Sequence, residues 1–332
     1  MAGDGVGLAV LVVLADAGTQ QGRAQHGDDA ADVVDCCRTG KVVEAHALEP
    51  AAAPHPVAAD GVDHQRNGCG VDAVGFEVGA LGHGAGDDGG CRCAEDSLEH
   101  DVNIAVLDYV AEHIKAGITT EEIDRWVYDV TTKMGGIPAP LNYEGFPKSV
   151  CTSINNQVCH GIPSDDVMLR EGDIINVDCS TILDGYFSDS SRMFCIGEVS
   201  PEKKRLVDVA KESLNVGLSK VKPWGFLGDV GQAINDFAKE NGYSVVREIG
   251  GHGVGLEFHE DPFVSYVSKA GTEMVMAPGL MFTIEPMINM GKQEIYIDED
   301  NDWTAYTQDR LPSAQWEIQV LVTDDGYEII SY

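Results

Sequence analysis

The sequence predicts an α+β fold, with helices packed on one face of an antiparallel sheet. Three observations carry this expectation. Helical and strand-like runs fall in separate groups instead of alternating as βαβ units. An Asp-Gly pair, Asp184-Gly185, stands between two strand-like runs and marks a tight hairpin. Composition also breaks near residue 100, so that the folded part reads as one domain over residues 99–332.

The segment ahead of that domain, residues 1–98, is unlike the rest. Residues 1–100 hold no Ile, Tyr or Trp and one each of Phe, Lys, Asn and Ser, whereas residues 101–332 hold 20 Ile. Without large apolar side chains a segment cannot bury enough surface to offset its chain entropy, so this one is expected to be disordered. The missing types have AT-rich codons and the abundant ones GC-rich codons, the pattern of an out-of-frame or antisense reading joined to a gene. A zinc-binding extension is the functional rival. Against it, Cys36-Cys37, Cys69 and Cys91-Arg92-Cys93 supply no C-x₂₋₄-C pair, and His26, His46, His55, His64, His83 and His100 are scattered without ligand spacing.

Charge and cysteine usage narrow the class. With 22 basic against 55 acidic residues the net charge is −33, which argues against nucleic acid or anionic membrane as a partner and suits divalent cations and cationic peptide ends. The nine cysteines are odd in number and include no CxxC pair, pointing to a reducing cytoplasm. Gly5 to Ala15 is apolar, but Asp4 precedes it and no basic residue does, so it lacks the n-region of a signal peptide. It is also too short to span a bilayer.

The elements follow in order. Residues 103–117 place Ile104, Leu107, Val110, Ala111 and Ile114 on one helical face, ended by Gly117. Thr119 and Glu122 form a capping box for a second helix running to about Met134. Strand-like runs cover about 150–160, 172–179 and 186–196, and helices fit 201–219 and 228–240. The remainder is strand-rich again at 244–249, 280–289, 293–297 and 315–323.

The hairpin makes a sharper prediction. A type I′ turn at Asp184-Gly185 sets Leu183 opposite Tyr186 and, counting outward, Ser180 opposite Asp189. Asp178 shares a face with Ser180 because strand side chains alternate. Asp178 and Asp189 are then diagonal neighbours, their Cβ atoms about 7 Å apart. Two carboxylates so placed either hold a divalent ion, or a pair about 3.5–4 Å apart, or lie solvated on an open strand face.

Three further residues join them. His252 stands in the glycine-dense run Gly250-Gly251-His252-Gly253-Val254-Gly255, where backbone can approach closely, and His259 follows soon after. The run lacks the order and the Lys-Ser/Thr of a phosphate loop. Glu285 sits in an apolar strand that Pro286 disrupts, and a buried carboxylate needs a partner. In Gln315-Trp316-Glu317-Ile318-Gln319-Val320, strict alternation sends Trp316, Ile318 and Val320 to the core and Glu317 to the other face. Asp178, Asp189, His252, Glu285 and Glu317 together form an oxygen-rich donor set suited to Mn, Fe, Co or Zn, and unlike a structural zinc site.

The motifs VCHGIPS (158–164), NVDCSTILDGYFSDSSRMF (176–194), GGHGVGLEFHEDP (250–262), FTIEPMI (282–288) and SAQWEIQVLVTDDG (313–326) resemble type I methionine aminopeptidase, in family order, from about Asp101 onward. The resemblance implies a pita-bread fold, two pseudo-symmetric α/β halves around a central antiparallel sheet. It implies removal of initiator methionine from nascent chains, with proximity to the ribosome, by water activated at two divalent ions (Co, Mn, Fe or Zn). The metal ligands fall on Asp178, Asp189, His252, Glu285 and Glu317, with Asp189 and Glu317 bridging. Glu285 is the general base, and His160 and His259 contact the reacting peptide. Tyr143, Phe146, Cys151, Phe258 and Trp303 line a methionine pocket. One departure is the chain ahead of Ile104, CAEDSLEHDV, where relatives begin their first helix earlier.

Two rivals remain. An Xaa-Pro aminopeptidase or prolidase would share the ligands but carry a folded N-terminal domain, which residues 1–100 do not resemble. A non-catalytic binding module of the same fold would tend to lose ligands, and all five are present. A type II enzyme would need a large insert, for which the run from His259 to Glu285 leaves no room.

Overall fold

Residues 96–332 are described by the computed structural model, with side chains from Val102 onward. The expectations of disorder, of an out-of-frame origin and of absent zinc ligands, made for the segment before Asp96, lie outside the described residues. Four α-helices are present among those described: α1 (Asp96–His113), α2 (Thr120–Lys133), α3 (Pro201–Leu218) and α4 (Leu227–Glu240), beside a short 3₁₀ turn at Tyr143–Gly145. The strands are β1 (Ile137–Pro138), β2 (Cys151–Ile154), β3 (Gln157–Cys159), β4 (Ile174–Leu183), β5 (Tyr186–Cys195), β6 (Ser244–Val245), β7 (Gly251–Gly253) and β8 (Glu260–Val264). They continue with β9 (Met281–Ile284), β10 (Met287–Asn289), β11 (Ile295–Ile297), β12 (Ala305–Thr307), β13 (Ser313–Gln315), β14 (Ile318–Val322) and β15 (Tyr327–Ser331). Every ladder is antiparallel.

Local chemistry accounts for several boundaries. Thr119 Oγ1 accepts from the Glu122 amide and Glu122 Oε2 accepts from the Thr119 amide, the expected reciprocal cap of α2. Ser200 caps α3, with Pro201 at its first position, where a missing N–H costs nothing. The β4–β5 hairpin turns through Asp184 (φ 52°) and Gly185 (φ 91°), the two positive values a type I′ turn requires. Its register pairs Leu183 with Tyr186 and Ser180 with Asp189, as the sequence predicts.

Alternation sorts the strands between core and site. In β4, Ile175, Val177 and Cys179 pack against Val106, Leu107 and Val110 of α1 and Ile123 and Val127 of α2. In β9 and β14, Phe282, Ile284, Ile318, Val320 and Val322 pack against α3 and α4 through Leu206, Ala210, Val230 and Ile234. The opposite faces, carrying Asp178, Asp189, Thr283 and Glu317, are thereby turned toward one another. A bridge between Ser191 and Glu317 joins the two halves of this pita-bread arrangement.

Several expectations need correction, among them the runs 150–160 and 315–323, each of which is interrupted between two strands. The first helix ends at His113, not Gly117, and starts before residue 103. Its buried face is Val102, Asn103, Val106, Leu107 and Val110, with Ala111 exposed and Ile104 half-buried. The helix is rotated because Asn103 turns inward to bond the sheet. The run 280–289 is two strands, since Pro286 has no N–H for a ladder. The strand expected over 244–249 stops at Val245, and the short strands β7, β8, β12 and β15 were not anticipated.

Candidate active site

Between the two helix-backed faces lies a cavity of about 650 Å³. All of the expected site residues line it: Asp178, Asp189, His252, Glu285 and Glu317; His160 and His259; Tyr143, Phe146, Cys151, Phe258 and Trp303.

The acidic wall is assembled from both halves. Asp178 and Asp189 come from the hairpin, His252 from the middle of β7, Glu285 from the end of β9 and Glu317 from just before β14. Gly251 and Gly253 flank His252 for a steric reason. A Cβ at Gly253 would lie 2.3 Å from Asp261 O, and one at Gly251 would lie 2.4 Å from Thr283 O. His252 Nδ1 lies 2.9 Å from Gly253 O, which makes it the protonated nitrogen and leaves the Nε2 lone pair inward. That Nε2 is 3.6 Å from Asp189 Oδ2 and 3.6 Å from Glu285 Oε1. One donor atom each from Asp189, His252 and Glu317 falls within 4.8 Å of the others. Asp178 lines the same cavity.

These residues fit a divalent cation. Asp189 is 3% and Glu317 2% exposed, so the reading of solvated strand carboxylates is excluded. No Lys or Arg lines the cavity. Burial pushes Asp178 up to about 7 and Glu285 up to about 8, and raises Asp189 and Glu317 well above the carboxylate range; acidic neighbours add to the rise at Asp189, Glu285 and Glu317, whereas a hydrogen bond with Glu317 tempers it at Asp178. Glu317 Oε2 is buried without a hydrogen-bond partner. Carboxylates crowded in this way ionise together only around positive charge, and the inward lone pair of His252 meets them only through a proton or a metal.

Neighbours hold these carboxylates in place. The Ser180 hydroxyl donates to Asp189 Oδ1 at 2.7 Å. Thr283 Oγ1 donates to Glu285 Oε1 at 2.7 Å, Gln315 Nε2 donates to Glu285 Oε2 at 3.1 Å, and the Glu285 amide donates to the Tyr266 hydroxyl at 2.7 Å. The sequence reading missed these supports. Thr283 and Gln315 were open to it, since each lies two residues from a proposed ligand on the same strand face. Tyr266 carried no such signal.

The other wall is aromatic. Phe258 packs against Tyr143 edge-on at 4.9 Å and stacks on Phe187 at 5.6 Å, while Phe146 meets Trp303 edge-on at 5.1 Å. Burial, with Asp178 beside it, pushes the Cys151 thiol well up, so it stays a neutral apolar wall. Burial holds His160 down at about 4, and the cavity walls with His252 and His160 hold His259 below the ordinary imidazole value. His160 has a left-handed backbone (φ 55°), unusual for a side chain of its size and common where a site fixes one orientation.

Comparison with known proteins agrees with this geometry. Residues 99–324 match Metallopeptidase family M24. Methionine aminopeptidase of Rickettsia prowazekii (strain Madrid E) is 44% identical over 225 residues, 68% of this chain and 86% of that protein. Methionine aminopeptidase A of Synechocystis sp. is 48% identical over 227 residues, 68% of this chain and 89% of that protein. The crystal structure of methionine aminopeptidase from Rickettsia prowazekii aligns with a TM-score of 0.70 at 41% identity, covering 72% of this chain and 96% of that one.

Proposed function

The chain belongs to metallopeptidase family M24, and from that premise we infer that it is a metal-dependent methionyl aminopeptidase removing the initiator methionine of nascent chains. The reading is supported above all by the opening of an acidic wall and an aromatic, sulfur-containing wall onto the same cavity. Relatives at 44–48% identity carry the same activity in their names, and the prolidase-like and non-catalytic readings are not favoured.

Asp178, Asp189, His252, Glu285 and Glu317 would hold two divalent ions of the Co, Mn, Fe or Zn type. When bound, these supply Lewis acidity that lowers the pKa of water and polarises the scissile carbonyl. Glu285, steadied at both oxygens by Thr283 and Gln315, takes the proton of the attacking water and delivers it to the leaving amine. His160 and His259 donate to the carbonyl oxygen as negative charge builds there. The free α-amine rests against the carboxylates, which limits cleavage to the first residue. Tyr143, Phe146, Cys151, Phe258 and Trp303 enclose the thioether, for which aromatic and sulfur contacts are favourable. The acidic surface suits work on nascent chains in the cytoplasm, close to the ribosome without binding its RNA. Among the described residues no helix is long and apolar enough to cross a membrane.

The test is a peptidase assay on metal-reconstituted protein with Met-Ala-Ser and Ala-Pro peptides. Release of methionine from the first is expected, and a preference for the second would overturn the assignment.

A further inference from the structure

His259 Nδ1 lies 3.1 Å from the Tyr143 hydroxyl. Its ring is held from three sides, at 4.2 Å from His252, 4.4 Å from Phe258 and 5.2 Å from Tyr143 between centroids. The Tyr143 contact is made between residues 116 positions apart, both of which line the cavity. A neutral imidazole carries one N–H, and the partner at one nitrogen decides which nitrogen bears it. A phenol has one proton, and no other acceptor for it is present among the described hydrogen bonds of Tyr143. The pairing that uses that proton is O–H donation to Nδ1. Nε2, for which no protein partner is described, then holds the ring proton and offers it to the cavity.

The backbone around Tyr143 is built for this aim. Asn142 (φ 68°) and Glu144 (φ 48°) both adopt left-handed conformations that side-chain-bearing residues seldom use, and Gly145 follows at φ 93°. The turn is closed by Asn142 N to Phe146 O at 2.8 Å and Phe146 N to Tyr143 O at 2.8 Å. Left-handed backbone on both sides of one tyrosine, at Glu144 without the tolerance that asparagine and glycine have for it, means that the surrounding structure fixes where its ring goes. A pocket wall needs only an apolar surface, which Phe146, Phe258 and Trp303 already provide. The hydroxyl itself therefore calls for a separate explanation.

We propose that Tyr143 is a positioning residue which, by donating its hydroxyl proton to His259 Nδ1, locks His259 as the Nε2–H tautomer that donates to the substrate carbonyl. The proposal rests on the aminopeptidase reading for the destination of that Nε2–H, although the tautomer itself does not depend on it. Burial raises the Tyr143 hydroxyl above its ordinary value, with Glu144 and Glu257 adding to the effect, which keeps the phenol protonated as a donor. The opposite tautomer would turn a lone pair toward the carbonyl oxygen, and repulsion would replace stabilisation.

The test uses the full chain labelled with ¹⁵N-histidine and reconstituted with diamagnetic zinc, together with Tyr143→Phe, which keeps the ring and removes the hydroxyl. In the wild-type protein the His259 nitrogens should give shifts of an unprotonated Nδ1 and a protonated Nε2. In Tyr143→Phe the two tautomers should mix, and kcat on Met-Ala-Ser should fall about tenfold, the effect of one lost hydrogen bond at the transition state, with KM within about twofold. A His259 protonated at Nδ1 in the wild type overturns the proposal. So does a Tyr143→Phe spectrum unchanged from wild type, or a variant that loses only KM, which would make Tyr143 a pocket wall. Failure of the wild-type protein to release methionine would defeat the aminopeptidase reading instead, and the tautomer would still be read from the spectrum.

Discussion

Ser180 and Asp189 face each other across the β4–β5 hairpin, and the Ser180 hydroxyl donates to Asp189 Oδ1 at 2.7 Å. That bond occupies one carboxylate oxygen and leaves Oδ2 turned to His252. Ser180→Ala should therefore keep the fold and lower metal affinity or activity about 10–100-fold, the usual effect of losing an outer support of a ligand. Metal titration monitored by activity checks this.

Loss of a ligand itself has a different signature. Asp178→Asn and Glu317→Gln should abolish turnover and lower bound metal measured by elemental analysis. The metal-free variants should melt no lower than metal-free wild type, because each substitution removes one of four crowded carboxylates. Normal kinetics in either variant would sink the metal-ligand assignment.

Chelation should remove activity and lower the melting temperature, and a divalent ion should restore both. An ion at 100 times its dissociation constant stabilises the folded state by about 2.7 kcal/mol. Scanning calorimetry with and without chelator reads this directly, and an unchanged transition would argue against a buried site.

Selectivity should follow from the aromatic wall. One methylene in a closed apolar pocket is worth about 1–3 kcal/mol, so norleucine should be tolerated and Leu or charged first residues rejected. Small second residues (Ala, Gly, Ser) should be cut best, since a bulky one presses on His160. Phe258→Ala should raise KM and loosen first-position choice with metal content unchanged. Equal cleavage of Leu- and Met-starting peptides by the wild type would remove the methionine assignment and leave the metal chemistry standing.

A chain beginning near residue 95 should match the full chain in activity and melting temperature, because α1 begins at Asp96 and the family match at residue 99. A large loss of either would show that the preceding segment contributes.

Much of the site was legible because it follows period-two alternation. Once Asp184-Gly185 set the hairpin register, the faces of Asp178 and Asp189 followed, and the same logic turned Glu317 away from Ile318 and Val320. The first helix was misread because Asn103 is fully buried. Hydrophobic periodicity treats asparagine as an outward residue, yet its side chain bonds Cys179 O, Ser190 Oγ and Ser331 Oγ across three strands. The contact between Tyr143 and His259 was out of reach for another reason: no local pattern pairs residues that only the folded cavity brings together.

The seam between the halves has a consequence for the order of assembly. Asp178 and Asp189 belong to the half backed by α1 and α2, whereas His252, Glu285 and Glu317 belong to the half backed by α3 and α4. Neither half alone holds all five proposed ligands, so a cation held by the full set should not template the folding of either one. On the proposed ligand set, metal capture should be a late event that reports on docking of the two halves and then strengthens it, acting as a clasp. Separately expressed halves mixed in solution should accordingly remain metal-poor until they associate, and a cation should slow their parting.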